Sequence, residues 1–567
     1  MLIFFSLLFA LEGSTQVILK PDTLNIKPEE PRWGDTLNIT LTPAKERGDI
    51  VLYYKAFYPE GEWDEGWTHL QNDRGIYRTS IPIDTNTVFI WFFVRGEYYL
   101  KATCPFIPRK KIIVYAPDGR PAEEFLGDTL TRTAQRWNHA FWKRDSGEVF
   151  SEVKAFIKGL ESKKSHTLTE SYALAASYLI LGDIDKSFKL VEKMFEINPS
   201  SALIPDILRN FSYQLYKQRR LSKAEEEKID SLELIFMEKN PEKRTTWEMA
   251  YWRDFRGIPD SLALKILDKW IPREPKNPIP LFYLASLFEK GGRPEEALKR
   301  IEKAIELKKK GFLIIYEASL SSVSMYGARF YRLRGELYEK KGNLDKAVES
   351  FEEALKMATT TEEKIPEYLA LGKILLKKNR LGSAEDYYLE AFLNGDTTES
   401  EKQLKNLYEK RKSKGMTFEE YLRRLNKKTK IPRSKAPDFE TIDFSGKKAT
   451  LSNRKGKFLV IDFWQMGCPA SVAEIPSLNK LFDEFKDKGI DFWAIGFATE
   501  EFLKKKPFNW RILSLNIDIA QKYSITAYPQ YLIIDPNGFI RYHKLGSEGT
   551  YKKLKRVLER LLLVWER

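Results

Sequence analysis

The residues with the clearest chemical potential lie in Phe458-Leu-Val-Ile-Asp462-Phe-Trp464-Gln-Met-Gly467-Cys468-Pro469-Ala470-Ser471-Val-Ala-Glu474-Ile-Pro476. A β-branched and aromatic run ends at a lone cysteine, and the apolar spacing then becomes that of a helix. A cysteine at this junction meets the unpaired N–H groups and the positive dipole end of the helix, which favour thiolate over thiol. The thiolate is the species that attacks a disulfide. Three residues on, where a second thiol would break the resulting mixed disulfide, stands Ser471. Its hydroxyl is a candidate hydrogen-bond donor to the Cys468 sulfur. Asp462 in the strand and Glu474 in the early helix are the nearby acids, and Glu474 reads equally as a first-turn carboxylate facing the helix dipole.

Positioning such a cysteine requires a strand that ends where a helix begins, and the last quarter of the chain supplies the setting. Strands are expected at Phe439–Phe444, Ala449–Ser452, Phe458–Trp464, Phe492–Phe497, near Ile512–Leu515, at Tyr531–Ile534 and at Phe539–His543. Helices are expected at Ser471–Lys486, around Gln521 and at Tyr551–Trp565. The Asn537-Gly538 pair marks a hairpin between the last two strands. This order predicts an α/β thioredoxin fold over 436–567. His543 falls far from the cysteine motif and reads as a surface residue.

Three separated signatures then carry a family resemblance: Ala436-Pro-Asp-Phe439, the strand–cysteine–helix stretch with Glu474-Ile-Pro476, and Ala527-Tyr528-Pro529-Gln530-Tyr-Leu-Ile-Ile-Asp535-Pro-Asn-Gly538. Together they resemble the TlpA/ResA-type thioredoxin-like proteins of the redoxin, or AhpC/TSA, superfamily. The resemblance implies that Pro529 is a cis-proline facing the thiol. Its neighbouring backbone would pair with an extended substrate, with Tyr528 and Trp464 as further substrate contacts. It also places Asp462 at the buried aspartate of that fold and Glu474 at an acid near the thiols. Two departures stand out: Gly467 replaces the tryptophan before the cysteine, and Ser471 replaces the resolving cysteine. A one-cysteine thiol peroxidase is a lesser alternative, since Asp462–Gly467 holds neither the proline nor the Thr/Ser that polarises a peroxide in that branch.

Upstream, 16–118 alternates apolar and polar residues between Pro, Gly and Asn/Asp turns, which predicts an immunoglobulin-like β-sandwich. Residues 119–165 read as a helical connector. Over 166–425 a helical pattern recurs: Ala175, Tyr178, Gly182 and Pro199; Tyr331, Gly335, Tyr338, Gly342, Ala347, Phe351 and Ala354; Tyr368, Gly372, Ala384, Tyr388 and Ala391. This spacing resembles tetratricopeptide (TPR) repeats, whose small residues let paired helices approach while aromatics fill the gap. Stacked repeats form a superhelix with a concave face suited to peptide or protein partners. The segment 426–435, basic and proline-bearing, is expected to be a linker.

The chain has 567 residues, a net charge of +14 and two cysteines, Cys104 and Cys468. That excludes a disulfide framework. The positive charge is spread along helices, and no motif points to nucleic acid or a metal, so neither is expected, nor any cofactor. Met1–Leu11 is too short to span a bilayer and suits a signal-peptide core, so 1–15 is expected to direct export; a cytoplasmic protein follows if it does not. Two functions remain in view: thiol–disulfide exchange through Cys468 with partners gathered by the repeats, or a non-catalytic interaction scaffold with a degenerate redoxin domain.

Overall fold

The computed structural model describes residues 23–28, 32, 35–42, 50–57, 63–69, 71–73, 76–83, 89–96, 109–113, 146–201, 203–218, 222–310, 320–411, 415–443, 446–453, 456–523, 525 and 527–565. The expected signal peptide and Cys104 lie outside them. The described residues divide into two compact units, one from 23 to 310 and the other from 320 to 565.

In the first unit, strands β1 (Thr23–Lys27), β2 (Thr36–Thr42), β3 (Ile50–Phe57), β4 (Trp63–His69), β5 (Gln71–Asp73), β6 (Ile76–Pro82), β7 (Phe89–Gly96) and β8 (Arg109–Ile113) form two antiparallel sheets of four strands. Their orders are β1-β2-β6-β5 and β4-β3-β7-β8. Alternation works as anticipated in β2, where Leu37, Ile39 and Leu41 are buried and Asn38 is exposed. Helices follow: α1 (Ser146–Glu161), α2 (Leu168–Leu181), α3 (Ile184–Ile197), α4 (Leu203–Gln218), α5 (Lys223–Lys239), α6 (Arg244–Trp252), α7 (Asp260–Arg273), α8 (Pro278–Lys290) and α9 (Pro294–Lys309). The α2–α3 pair turns at Gly182, whose φ of 81° only glycine adopts freely, and Ser187 Oγ donates to the Ala175 carbonyl at 2.7 Å.

The second unit opens with α10 (Leu320–Lys340), α11 (Leu344–Met357), α12 (Thr361–Lys377), α13 (Leu381–Leu393), α14 (Glu399–Arg411) and α15 (Phe418–Lys428). Here the repeat code is legible as packing. A β-carbon at Gly335 of α10 would sit 2.9 Å from the Phe351 ring of α11, and one at Gly372 of α12 would sit 2.8 Å from the Tyr388 ring of α13. Each glycine is therefore the space its partner aromatic occupies.

The remainder forms β9 (Glu440–Ile442), β10 (Lys448–Thr450), β11 (Phe458–Gln465), α16 (Pro469–Phe485), β12 (Ile490–Phe497), α17 (Glu500–Lys505), β13 (Arg511–Ser514), α18 (Ile517–Lys522), β14 (Gln530–Ile534), β15 (Ile540–Leu545) and α19 (Thr550–Val564). One five-stranded sheet has the order β13-β12-β11-β14-β15. β11 runs parallel to β12 and antiparallel to β14. Leu459, Ile461 and Phe463 of β11 enter one core with Ile495, Leu513, Leu532 and Ile534, while Val460, Asp462 and Trp464 point to the opposite face.

Two expectations change here. His543 is half-buried and held rather than free on the surface: its N–H donates to Thr361 Oγ1 at 2.9 Å, Thr361 Oγ1 donates to its carbonyl at 3.1 Å, and its Nδ1 lies 2.9 Å from the Thr359 carbonyl. The capping turn of α12 thus closes the free edge of β15, and burial lowers the affinity of His543 for a second proton. The basic segment before the α/β domain is also held fast. Arg433 donates to Glu390 of α13 at 2.6 Å and to Asn426 of α15 at 3.0 Å, and Asn426 accepts from Arg541 of β15 at 3.2 Å. Arg560 of α19 covers the Phe392 ring at 4.0 Å and donates to the carbonyls of Phe392 and Asp396. Last repeats and α/β domain share one polar interface.

Gly372→Ala should destabilise this unit by about 1–3 kcal/mol through overpacking against Tyr388. Gly382→Ala, in open space at the start of α13, should be neutral or stabilising by up to about 1 kcal/mol. Urea midpoints of the two variants provide the check; equal shifts would contradict the packing assignment.

Candidate active site

The site is built where β11 leaves the sheet. Cys468 is the N-cap of α16, in extended conformation (φ −97°, ψ 109°), with Pro469 in the first turn. Its N–H donates to the Gln465 carbonyl at 3.0 Å and its own carbonyl accepts from Val472 at 3.1 Å, so the backbone is pinned on both sides. The sulfur makes no capping bond to the helix amides. It is half-buried and donates to the Tyr528 carbonyl at 3.6 Å. The Tyr528–Pro529 peptide bond is cis. Pro529 is buried, and its carbonyl accepts the Gly546 N–H at 2.9 Å.

Ser471 does not meet the sulfur. It is 2% exposed and its hydroxyl has no hydrogen-bond partner among the described residues. As the third residue of α16 it lies on the buried helix stripe that continues through Ile475 and Leu478.

Trp464 is likewise corrected from substrate contact to core. It is 1% exposed, with its ring 4.7 Å from Phe508 and 5.8 Å from Phe502 of α17. The backbone of β12 also presses against it: a β-carbon at Gly496 would fall 2.3 Å from the Trp464 carbonyl. The short helix α17, absent from the sequence reading, provides this cover. Tyr528 is half-buried and packs on the core edge, and burial pushes its hydroxyl pKa up.

Beneath the thiol, three residues directly opposed in register cross the sheet: Asp462 on β11, Tyr531 on β14 and Lys544 on β15. Opposed residues share a face, so all three lie on the side of Trp464. Asp462 is 4% exposed, and its Oδ1 has no partner among the described residues. Burial first, and the Glu474 charge second, hold its carboxyl well above the usual carboxylate range. Burial raises Glu474 too, against the opposing pull of Lys544. The Tyr531 hydroxyl is pushed up by burial, then by the charges of Asp462 and Glu474. Lys544 is 1% exposed; burial lowers its pKa while Glu362 and Glu474 resist. Sequence reading ended the last strand at His543 and so missed Lys544. An alternation extended from Tyr542 would have turned that lysine inward. No group of His, Cys, Asp and Glu fit to hold a metal occurs among the described residues.

A five-stranded mixed sheet, a cysteine capping the helix after its central strand, and a cis-proline loop across from that sulfur define a thioredoxin-like domain. Comparison agrees: the AhpC/TSA family matches residues 432–543, and a tetratricopeptide repeat matches 328–360. The thiol-disulfide oxidoreductase ResA of Bacillus anthracis is 30% identical over 132 residues, covering 22% of this chain and 76% of the relative. The thioredoxin-like protein YneN of Bacillus subtilis gives the same figures. Among solved structures, the thioredoxin domain of a thiol-disulfide oxidoreductase from Bacteroides vulgatus is 27% identical, with 23% of this chain and 99% of that chain covered and a TM-score of 0.21. Through its C-terminal domain the chain belongs to the AhpC/TSA family, alongside the ResA-type thioredoxin-like proteins.

The buried acid yields a test with a definite sign. Because the folded-state pKa of Asp462 lies above the unfolded one, the folded chain holds that proton more tightly. Stability therefore falls as pH rises from the ordinary carboxylate range, about 4, through the raised value. Asp462→Asn removes this dependence, so its unfolding midpoint should gain on the parent progressively from acid towards neutral pH. A difference independent of pH in thermal melts would count against a buried ionisable Asp462.

Proposed function

We propose that the chain carries out thiol–disulfide exchange through Cys468 alone, forming a mixed disulfide that a separate thiol must resolve. The carrying observation is the half-buried Cys468 sulfur across from the Tyr528–Pro529 loop, with a buried serine where a second thiol would act. In the first step the Cys468 thiolate attacks one sulfur of a partner disulfide; that S–S bond breaks and the partner's other sulfur leaves as thiolate. The product is Cys468–S–S–partner. Ser471 has no sulfur with which to expel the partner, so an external thiol completes the cycle and returns Cys468 as thiolate.

The loop opposite offers a place for the partner's backbone. The Tyr528 carbonyl lies against the sulfur at the cis Tyr528–Pro529 bond, which suits pairing with an extended segment at that point. In this reading Asp462 and Glu474 tune the charge beneath the thiol, and the repeats supply the surface that gathers protein partners. The two N-terminal sheets are read as faces of one immunoglobulin-like sandwich, and the apolar start of the chain as an export signal. That places the work outside the cytoplasm, where disulfide substrates persist.

Incubation with a disulfide-bearing protein should give adducts that vanish on reduction and in Cys468→Ser. Ser471→Cys should abolish their accumulation and confer insulin reduction in the presence of a dithiol reductant. If the parent forms no Cys468-dependent adduct and Ser471→Cys stays inert, the domain is an interaction scaffold.

A further inference from the structure

We infer that Lys544 is a positioning residue for the loop facing Cys468, and through it governs how an extended peptide meets the thiol; this rests on the exchange reading above. Lys544 is 1% exposed and makes no ion pair among the described residues. The carboxylates whose charge it feels, Glu362 of α12, Glu474 of α16 and Glu548 of the following loop, all stand off. Its ammonium instead donates to two main-chain carbonyls, Leu545 at 3.2 Å and Gly546.

Those carbonyls belong to the turn that leaves β15, and Gly546 holds a φ of 76°, a left-handed conformation suited to glycine. The N–H of Gly546 donates to the Pro529 carbonyl at 2.9 Å. The residue before Pro529 is Tyr528, whose carbonyl accepts from the Cys468 sulfur at 3.6 Å. A continuous path thus runs from the ammonium to Gly546, from Gly546 to Pro529, and through one peptide link to the carbonyl that contacts the thiol. The register row sets its start: opposite Tyr531, Lys544 points inward, with its ammonium 6.0 Å from the Tyr531 ring centre.

A lysine is suited to this task because one ammonium satisfies two carbonyls at once, and the surrounding burial keeps water from replacing it. A methionine in its place fills similar volume but offers no donor. The turn would then lose its hold on the Gly546 N–H, and the Pro529 carbonyl would lose its fixed partner. A small disulfide reagent needs only the sulfur; a peptide needs the loop in register as well.

The test uses the full chain and two probes with the same leaving group: 5,5′-dithiobis(2-nitrobenzoate), and a short extended peptide whose cysteine is joined to thionitrobenzoate. In both, the Cys468 thiolate attacks, a new S–S bond forms, and thionitrobenzoate leaves and is counted after subtraction of the release by Cys468→Ser, which retains Cys104. Lys544→Met should slow the peptide reaction by about tenfold or more while the small reagent stays within about twofold, since displacement of a binding element penalises only the oriented encounter. Lys544→Gln, which keeps one donor, should fall between, and it carries the test if the methionine variant does not fold. Equal slowing of both probes, or no change in either, overturns the positioning role. A parent chain whose Cys468 reacts with neither probe overturns the exchange reading itself.

Discussion

Strand β11 is buried on both faces, and the rest of the C-terminal domain depends on that. A central strand with no solvent side must carry an almost unbroken apolar run, and the chain obeys from Phe458 to Trp464 with one exception, Asp462. Because the strand is clamped between β12 and β14, its end is an anchored point. Cys468 leaves that point through a two-sided backbone pin and starts α16. The sulfur therefore has a defined position without any side-chain bond beyond the Tyr528 carbonyl. The same clamp forces a carboxyl into the interior, which is why Asp462 favours its proton and why its Oδ1 lacks a partner.

The second constraint is polar. A thioredoxin-like sheet exposes the edge of its last strand, and here the capping turn of α12 covers it: Thr361 bonds both the N–H and the carbonyl of His543, while Tyr542 donates to Glu362 at 2.7 Å. Arg433, Arg541 and Arg560 add guanidinium contacts to α13, α15 and the α13–α14 turn. Arg541 is buried and Arg433 and Arg560 are half-buried, and such charge-assisted hydrogen bonds fix orientation more strongly than an apolar contact of equal size would. The redoxin domain is seated on the last repeats, and Cys468 is held on the same body as α12 and α13.

Much of this was legible beforehand where one residue type answers one local need. Gly335 with Phe351 and Gly372 with Tyr388 were readable because a missing side chain on one helix and an aromatic at the matching position of the next have few other uses. The Cys468–Pro469 junction and the Tyr528-Pro529 signature were readable because they mark where elements start and stop. Trp464 was misread because its neighbours in sequence are site residues, whereas its neighbours in space are Phe502 and Phe508. His543 was misread because a strand edge looks exposed until something from 182 residues earlier closes it.

From the order of residues alone came the local matters: which segments are strands or helices, which helices pair, and where a lone thiol stands relative to a helix end. These follow from side-chain period, cap chemistry and turn residues, all of which act over a few positions. Only the folded chain decided that the Ser471 hydroxyl is buried without a hydrogen bond to the sulfur, that Asp462, Tyr531 and Lys544 lie in one row, and that α12 seals β15. Those depend on register and on contacts between distant segments, where a shift of a single residue would turn every side chain to the other face of the sheet.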